Sequence, residues 1–239
     1  NSRIALAELA AAYFGYPAEQ LKTIGITGTK GKTTTTYLVK SVLEAMGKKV
    51  GIIGTNQNMI GNEIIPSKHT TPDSLELMQL LTKMLEKGAE YAVMEVSSHS
   101  LYLDRVTACS FEVGAFTNIT QDHLDFHKTM DEYLDAKGIL FKIAKIGAVN
   151  VDDWGAERLI KNSNCEKMIT YGIDKECDMK ASDIELTENG VFFNIAYKGE
   201  VHKVELGIPG KFSVYNAMTA LSCLEAVGIP VREAVKYLK

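Results

Sequence analysis

The chain has 239 residues, enough for one large α/β domain or for one domain with a small appendage. Its formal net charge of −4 and scattered lysines exclude the basic footprint of a nucleic-acid-binding protein, and its four widely separated cysteines exclude a zinc ribbon or a disulfide framework. The sequence has no apolar run long enough for a membrane span and no signal-peptide pattern, so we expect a soluble protein of the reducing cytoplasm.

The first distinctive segment is GITGTKGKTTTT, at residues 25–36. A helix predicted over 2–14 and a strand-like apolar run at 21–26 precede it, and a helical pattern at 37–43 follows it. Between a strand and a helix, glycines allow backbone N–H groups to point at the phosphates of ATP. In that context Lys32 would reach the outer phosphates and the Thr33 hydroxyl would bind magnesium.

This glycine loop departs from the strict P-loop pattern by one residue. Ile26 stands where the first glycine is expected, so the intact part is the shorter run from Gly28 to Thr33. The alternative interpretation is a solvated, lysine-rich turn before a threonine-rich helix. The strand-to-helix context argues against that alternative.

Strand-like and helical segments alternate along the rest of the first two-thirds of the chain. We predict strands at 50–53, 91–96, 113–117 and 148–151, and helices at 74–86 and 130–144. Such alternation is typical of βαβ units, which build a parallel sheet with helices on both faces. Functional groups of these sheets gather at the carboxyl ends of the strands.

The pattern changes after Tyr171. We predict short strands, separated by glycine-containing hairpin turns, at 183–187, 191–197 and 201–206. Two helices are predicted after them, at 214–227 and 231–238. The predicted fold class is therefore α/β, with a mostly parallel P-loop sheet flanked by helices and a small antiparallel meander near the C-terminal half.

A carboxylate, two hydroxyls and an imidazole come together at the end of the strand predicted over 91–96, in Glu95, Ser97, Ser98 and His99. Magnesium prefers hard oxygen ligands, so Glu95 beside the threonine of the glycine loop suits a magnesium site. The alternatives are a strand-end salt bridge for Glu95 and a hydrogen-bonded structural role for His99.

Two histidines and two aspartates lie close together after the next strand, in TNITQDHLDFH at 117–127. A zinc site is one interpretation, but no cysteine is near and the HxxxH spacing lacks the glutamate of the metalloprotease helix. We prefer His123 at a second magnesium or as a residue that orients the substrate. Lys137, in the next helix, taken alone is a solvated helix lysine.

Six ordered motifs cover nearly the whole chain: GTKGKTTT, HTTPDS, MEVSSHSL, FTNITQDHLDFH, YLDAKGILF and PGKFSVYNAMTAL. Together they resemble the Mur ligases, most closely the MurE type. The resemblance implies an ATP-dependent amide ligase of peptidoglycan precursor synthesis, which adds the third stem amino acid to UDP-N-acetylmuramoyl-L-alanyl-D-glutamate. ATP would convert the glutamate γ-carboxylate to an acyl phosphate, which the incoming amine would attack.

The resemblance also implies roles for individual residues. The phosphates would be held by Gly28, Thr29, Lys30, Gly31, Lys32, Thr33 and Thr34. Asn118 would lie near the nucleotide and Asn216 would bind adenine. The UDP-muramoyl substrate would be held by Thr70, Thr71, Ser97 and Arg105.

The same resemblance implies two magnesium ions. Thr33 and Glu95 would bind the first ion, and His123 would belong to the second. Lys137 matches the lysine that is carbamylated in this family, and its carbamate oxygens could hold magnesium where an ammonium could not. Lys32, Glu95, His123 and Lys137 are thus the predicted catalytic residues.

Mur ligases have three domains, which leads to an expectation about organisation. Residues 1–22 would be a linker and helix left from the N-terminal domain, and 23–239 would be the central ATP-binding domain, with the C-terminal domain absent. The absent domain would select the third amino acid, so the choice between lysine and diaminopimelate stays open. We expect the chain alone to bind nucleotide weakly and not to ligate.

Two other interpretations stay open at the level of sequence. One is another Mur ligase or a ligase similar to folylpolyglutamate synthase, against which HTTPDS and MEVSSHS argue. The other is a non-catalytic ATP-binding module that scaffolds a partner. Such a module would predict the loss of Glu95, His123 or Lys137, and all three are present.

Overall fold

A single sheet runs through the protein in the computed structural model, which describes residues 1–123 and 125–238. Leu124 of the histidine-rich segment and Lys239, the last residue of the predicted central domain, lie outside the described residues. The strands in chain order are β1 (Lys22–Thr27), β2 (Val50–Ile53), β3 (Asn58–Ile60), β4 (Glu63–Ile65), β5 (Tyr91–Glu95), β6 (Phe111–Phe116), β7 (Ala144–Asn150), β8 (Lys167–Gly172), β9 (Met179–Leu186), β10 (Val191–Tyr197) and β11 (Glu200–Leu206).

The strand order is β11-β10-β9-β8-β7-β6-β1-β5-β2-β3-β4. All pairs from β9 to β2 are parallel, while β9, β10 and β11 form an antiparallel meander and β2, β3 and β4 are antiparallel at the other edge. The predicted α/β class, with its meander, is confirmed. β1 is buried along nearly its whole length, as central parallel strands are.

Helices cover both faces of the sheet. They are α1 (Ser2–Tyr13), α2 (Lys32–Ala45), α3 (Ser74–Glu86), α4 (Ser98–Tyr102), α5 (Met130–Gly138), α6 (Leu140–Ile143), α7 (Ala156–Lys161), α8 (Lys211–Ala226) and α9 (Val231–Ala234). One apolar cluster joins α2 and α8 to the sheet and a second joins α3, α5 and α6 to it. Neighbouring residues of β5 alternate between the clusters from Tyr91 to Met94, which places the clusters on opposite faces of the sheet.

The register of the central strands builds the functional edge. Ile26 of β1 lies opposite Glu95 of β5 on one side and Ala115 of β6 on the other. The loops after these three strands therefore leave the sheet together, at the carboxyl ends where parallel sheets bind ligands.

Several predicted bounds are wrong. The helix predicted over 130–144 is interrupted at Ile139, and Ala144 is the first residue of β7, four residues before the predicted strand. Lys145 and Gly147 interrupt the apolar run of β7, so the local pattern does not show where this strand begins. The pairing of β7 with β6 and β8 decides its first residue. The last predicted helix, 231–238, is helical only over Val231–Ala234.

Among residues 1–123 and 125–238, the helices fall short of the length or the hydrophobicity that a membrane crossing requires.

Candidate functional site

The glycine loop joins β1 to α2 and leaves the first turn of α2 without a side-chain cap. Gly31 is the N-cap residue, with φ +88°, and no side chain hydrogen-bonds there. The first N–H groups of a helix have no partner inside the helix, so this turn is suited to an anion such as phosphate. A side chain on Gly31 would collide with the Asn216 amide, and one on Gly28 would collide with the Thr117 hydroxyl.

The close packing at Gly31 leads to a prediction with a matched control. Gly31→Ala should weaken nucleotide binding by about ten-fold or more, because the loop must move away from Asn216. Gly47→Ala is the control, because Gly47 has a similar φ of +80° but has open space where the added methyl group would lie. Both variants should lose about 1–2 kcal/mol of unfolding free energy. Calorimetric titration measures the ADP affinity of each variant, and only Gly31→Ala should bind ADP more weakly. Equal ADP affinities of the two variants would contradict the assigned role of Gly31.

Asn118 holds the loop from the end of β6. Its side-chain amide donates to the Lys30 carbonyl and accepts from the Lys30 N–H, both at 3.0 Å. The Thr117 hydroxyl donates to the same carbonyl at 2.7 Å, and Thr29 N–H donates to the Asn118 carbonyl at 2.8 Å. The structure thus places Asn118 next to the predicted phosphate site, where it braces the loop backbone.

Lys32 is folded over the loop. Its ammonium donates to the carbonyls of Gly28 at 2.9 Å and Thr29 at 3.0 Å. Burial lowers the pKa of Lys32, and the nearby carboxylates of Glu95 and Asp122 oppose that shift. Lys32 and Glu95, predicted from separate motifs, are therefore close enough to interact electrostatically.

Glu95 ends β5 and is only 2% exposed. Thr55 donates its backbone N–H to Glu95 Oε1 and its hydroxyl to Oε2, each at 3.0 Å. The described residues provide no ion pair for this carboxylate, so the predicted alternative of a strand-end salt bridge is not found among them. A buried carboxylate needs compensating charge, which a divalent cation would supply.

No cluster of three or more His, Cys, Asp or Glu side chains in the described ranges could enclose a metal ion. The zinc interpretation of the histidine-rich segment therefore has no support within those ranges. Magnesium differs from zinc here, because it keeps several waters and shares phosphate oxygens, so one carboxylate and a hydroxyl suffice as protein ligands. Glu95 and Thr33 fit that chemistry.

The histidine-rich segment folds into an aromatic cluster. His127 is 2% exposed, and its Nε2 lies 2.9 Å from the Ser98 hydroxyl. His99 packs against Phe126 with ring centroids 4.1 Å apart. Its predicted hydrogen-bonded role would require a side-chain hydrogen bond to its ring, and none is found among the described residues. His123 is different, because its half-exposed ring lies at the edge of the cluster, 5.0 Å from His99. Of the three imidazoles, His123 is the most exposed, which suits it to contact a ligand.

Lys137 is 1% exposed. The interpretation of Lys137 by itself as a solvated helix lysine is therefore wrong. Its Nζ lies 4.3 Å from the centre of the Tyr133 ring. Burial, and then the positive charge of Lys32, hold the pKa of Lys137 well below its ordinary value, opposed by Asp122. A lowered pKa raises the fraction of a buried lysine that is present as the neutral, nucleophilic amine.

The four residues predicted to hold the muramoyl substrate gather beside Glu95. The Thr71 hydroxyl donates to the Glu95 carbonyl at 2.9 Å and accepts from Ser97 N–H at 3.1 Å. Arg105 donates to the Thr71 carbonyl at 3.2 Å, and the Thr70 hydroxyl is 3.1 Å from that of Thr55. The structure thus brings these four residues together.

Thr55 and Tyr133 are site residues that the sequence analysis missed. Thr55 comes two residues after β2, which pairs with β5, so the rule that groups gather at strand ends could have found it. Tyr133 precedes Lys137 by one helical turn, and its hydroxyl lies 3.3 Å from the Thr29 hydroxyl of the loop. Helical spacing alone could have paired it with Lys137.

The sequence matches the model of the Mur ligase middle domain over residues 26–224. A UDP-N-acetylmuramoyl-L-alanyl-D-glutamate–2,6-diaminopimelate ligase of Clostridium botulinum is 48% identical over 239 residues, covering 100% of this chain and 49% of the relative. Ligase 1 of the same name from Clostridium acetobutylicum is 48% identical over 233 residues, covering 98% of this chain and 48% of the relative. The chain spans about half the length of the curated relatives it matches.

Solved structures agree with this similarity. The structure of a UDP-N-acetylmuramoyl-L-alanyl-D-glutamate–2,6-diaminopimelate ligase superposes with a TM-score of 0.90 at 29% identity, over 98% of this chain and 50% of that chain. A folylpolyglutamate synthase of Mycobacterium tuberculosis superposes with a TM-score of 0.79 at 16% identity, over 99% of this chain and 63% of that chain. The second likeness concerns the fold alone.

Proposed function

The chain belongs to the Mur ligase family, and on that premise we propose that it is the ATP-binding part of an amide ligase of peptidoglycan precursor synthesis. The substrates would be ATP, UDP-N-acetylmuramoyl-L-alanyl-D-glutamate and an amino acid. Relatives at 48% identity are named for 2,6-diaminopimelate, which supports that amino acid over lysine. The observation that carries the proposal is the convergence of Lys32, Glu95 and buried Lys137 on one glycine loop.

The reaction requires two anions to meet. An oxygen of the glutamate γ-carboxylate attacks the γ-phosphorus of ATP and ADP leaves, and the amine nitrogen then attacks the acyl carbon while phosphate leaves. The free N–H groups of the first turn of α2 would bind the phosphates, and the Lys32 ammonium would neutralise charge on the transferring group. Thr70, Thr71, Ser97 and Arg105 would orient the carboxylate for in-line attack.

Magnesium would be held by Thr33 and Glu95 at one position, and by His123 and a modified Lys137 at a second. When bound, it neutralises phosphate charge and aligns donor and acceptor. We propose that Lys137 is carbamylated: its neutral amine adds to the carbon of CO₂ and loses a proton, giving an oxygen-bearing anion. The burial and lowered pKa of Lys137 support this step, because only the unprotonated amine reacts.

We propose that residues 23–239 are the central domain and that 1–22 are a linker and helix from a preceding domain. The half of the relatives' length that this chain does not span would provide the remaining groups for substrate binding and amino-acid selection. We place the enzyme in the cytoplasm, the compartment that four unpaired cysteines favour. The chain alone would bind ADP weakly and would not ligate.

The test compares this chain with the full-length protein that contains it. Each is incubated with ATP, magnesium, UDP-N-acetylmuramoyl-L-alanyl-D-glutamate and either 2,6-diaminopimelate or lysine, and product mass and phosphate release are measured. We expect the tripeptide product only from the full-length protein with diaminopimelate. Absence of product there would refute the function, and turnover by the 239-residue chain would refute the domain assignment.

A further inference from the structure

Thr55 lies where the metal and substrate sites meet. It follows β2 at the carboxyl edge of the sheet, and β2 pairs with β5 so that Ile53 is opposite Met94, the residue before Glu95. Gly54 makes this approach possible, because a side chain there would collide with Glu95 Oε1. The Glu95 carboxylate can therefore fold over Gly54 and reach Thr55.

Thr55 binds both oxygens of that carboxylate. Its N–H donates to Oε1 and its hydroxyl to Oε2, each at 3.0 Å. Two donors from one residue fix the rotation of a carboxylate as well as its position. Glu95 is 2% exposed, so water has little access to replace these donors.

The Thr55 hydroxyl also reaches Thr70. It donates toward the Thr70 hydroxyl at 3.1 Å as well as toward Glu95 Oε2 at 3.0 Å. A hydroxyl carries one proton, so this proton serves one of the two acceptors at a time. The single Thr55 hydroxyl is therefore shared between the Glu95 carboxylate and Thr70.

We infer that Thr55 is a positioning residue that joins the metal ligand Glu95 and the substrate residue Thr70 through its one hydroxyl. This inference rests on the proposed function for the identities of the metal and the substrate. It requires that loss of the Thr55 hydroxyl weakens magnesium and dipeptide binding together.

The test uses Thr55→Val, which keeps the shape and the N–H but lacks the hydroxyl, and Thr55→Ser, which keeps the hydroxyl. In the full-length ligase, Thr55→Val should raise the KM for free magnesium and for the dipeptide about five- to ten-fold each. Thr55→Ser should stay within about two-fold of wild type, since a restored hydrogen bond is worth more than a lost methyl group here. Thr82→Val is the control, because the Thr82 hydroxyl bonds only within α3, to the Met78 carbonyl.

A double-mutant cycle tests the coupling between the Thr55 and Thr70 hydroxyls. Thr70→Val alone should raise the KM for the dipeptide, but in the Thr55→Val background it should add little, since the two hydroxyls act through one bond. Additive effects of the two substitutions would overturn the coupling. Equal KM values for Thr55→Val and Thr55→Ser would overturn the role of the hydroxyl.

A second measurement does not depend on ligase turnover. The affinity of the 239-residue chain for AMPPNP is titrated with and without magnesium for wild type, Thr55→Val and Thr55→Ser. Thr55→Val should lose most of the gain in affinity that magnesium provides, and Thr55→Ser should retain it. The same gain in both variants would overturn the inference, even if the full-length protein proved to have another activity.

Discussion

Lys32→Ala is expected to lower ligase turnover of the full-length protein roughly a hundred- to a thousand-fold, because it removes a preorganised charge at the transferring phosphoryl group. The ammonium already lies on the loop carbonyls of Gly28 and Thr29, so it needs little reorganisation to act. Lys32→Arg should not restore full activity, since a planar guanidinium cannot occupy the same compact position.

The measurement is phosphate release that depends on the UDP-muramoyl dipeptide. Lys48→Ala is the matched control, because it also removes one positive charge but from an exposed pair with Glu90 at the other end of the strands. Lys48→Ala should leave turnover unchanged. If Lys32→Ala retained turnover within a few-fold of wild type, the assignment of the glycine loop as the phosphate site would be wrong.

Replacing Lys137 should have an effect of similar size. Lys137→Met keeps a buried, unbranched side chain but removes the amine, so turnover should fall roughly a hundred-fold or more, as when other electrostatic groups are removed from active sites. The loss should appear in kcat, because the amine lies against Tyr133, whose hydroxyl reaches Thr29 of the glycine loop. Lys137→Ala would leave a cavity as well, and so it is the less informative variant.

The carbamate itself is measured by intact mass before and after acid treatment. Wild type should carry the added mass of one CO₂, which acid removes, and Lys137→Met should not carry it. Lys142→Ala is the control, since Lys142 is an exposed lysine of α6, close to Lys137 in the chain. An acid-labile adduct that survives in Lys137→Met would place the modification elsewhere.

The pH dependence of this adduct follows from the direction of the pKa shift. Burial and Lys32 lower the pKa of Lys137, so the neutral amine forms at a lower pH than in an ordinary lysine. Carbamate occupancy of Lys137 should therefore rise with pH and approach its limit at a lower pH than that of exposed lysines such as Lys142. Carbon-13 NMR in labelled bicarbonate, recorded across neutral and mildly alkaline pH, measures this directly. A Lys137 signal that rises only together with those of exposed lysines would contradict the shift.

The sequence by itself determined much of the parallel sheet and the place of the glycine loop. Val50–Ile53, Ser74–Glu86 and Val191–Tyr197 have the bounds that were predicted, because buried strands and capped amphipathic helices carry their periodicity in local residues. The loop from Gly28 to Thr33 was equally readable, since its glycines and lysine act through a short stretch of backbone. The order of motifs along the chain also indicated the family before the fold was known.

Only the tertiary structure decided what surrounds the reactive groups. Lys137 has the sequence of a surface helix residue, yet packing of α5 against the sheet buries it beside Lys32 and changes its chemistry. Thr55 lies 40 residues from Glu95, and their hydrogen bonds depend on the pairing of β2 with β5. Burial and hydrogen bonding between distant segments arise from strand order, which no local pattern encodes. The sequence therefore indicated the candidate groups, and the fold decided their burial, orientation and hydrogen-bond partners.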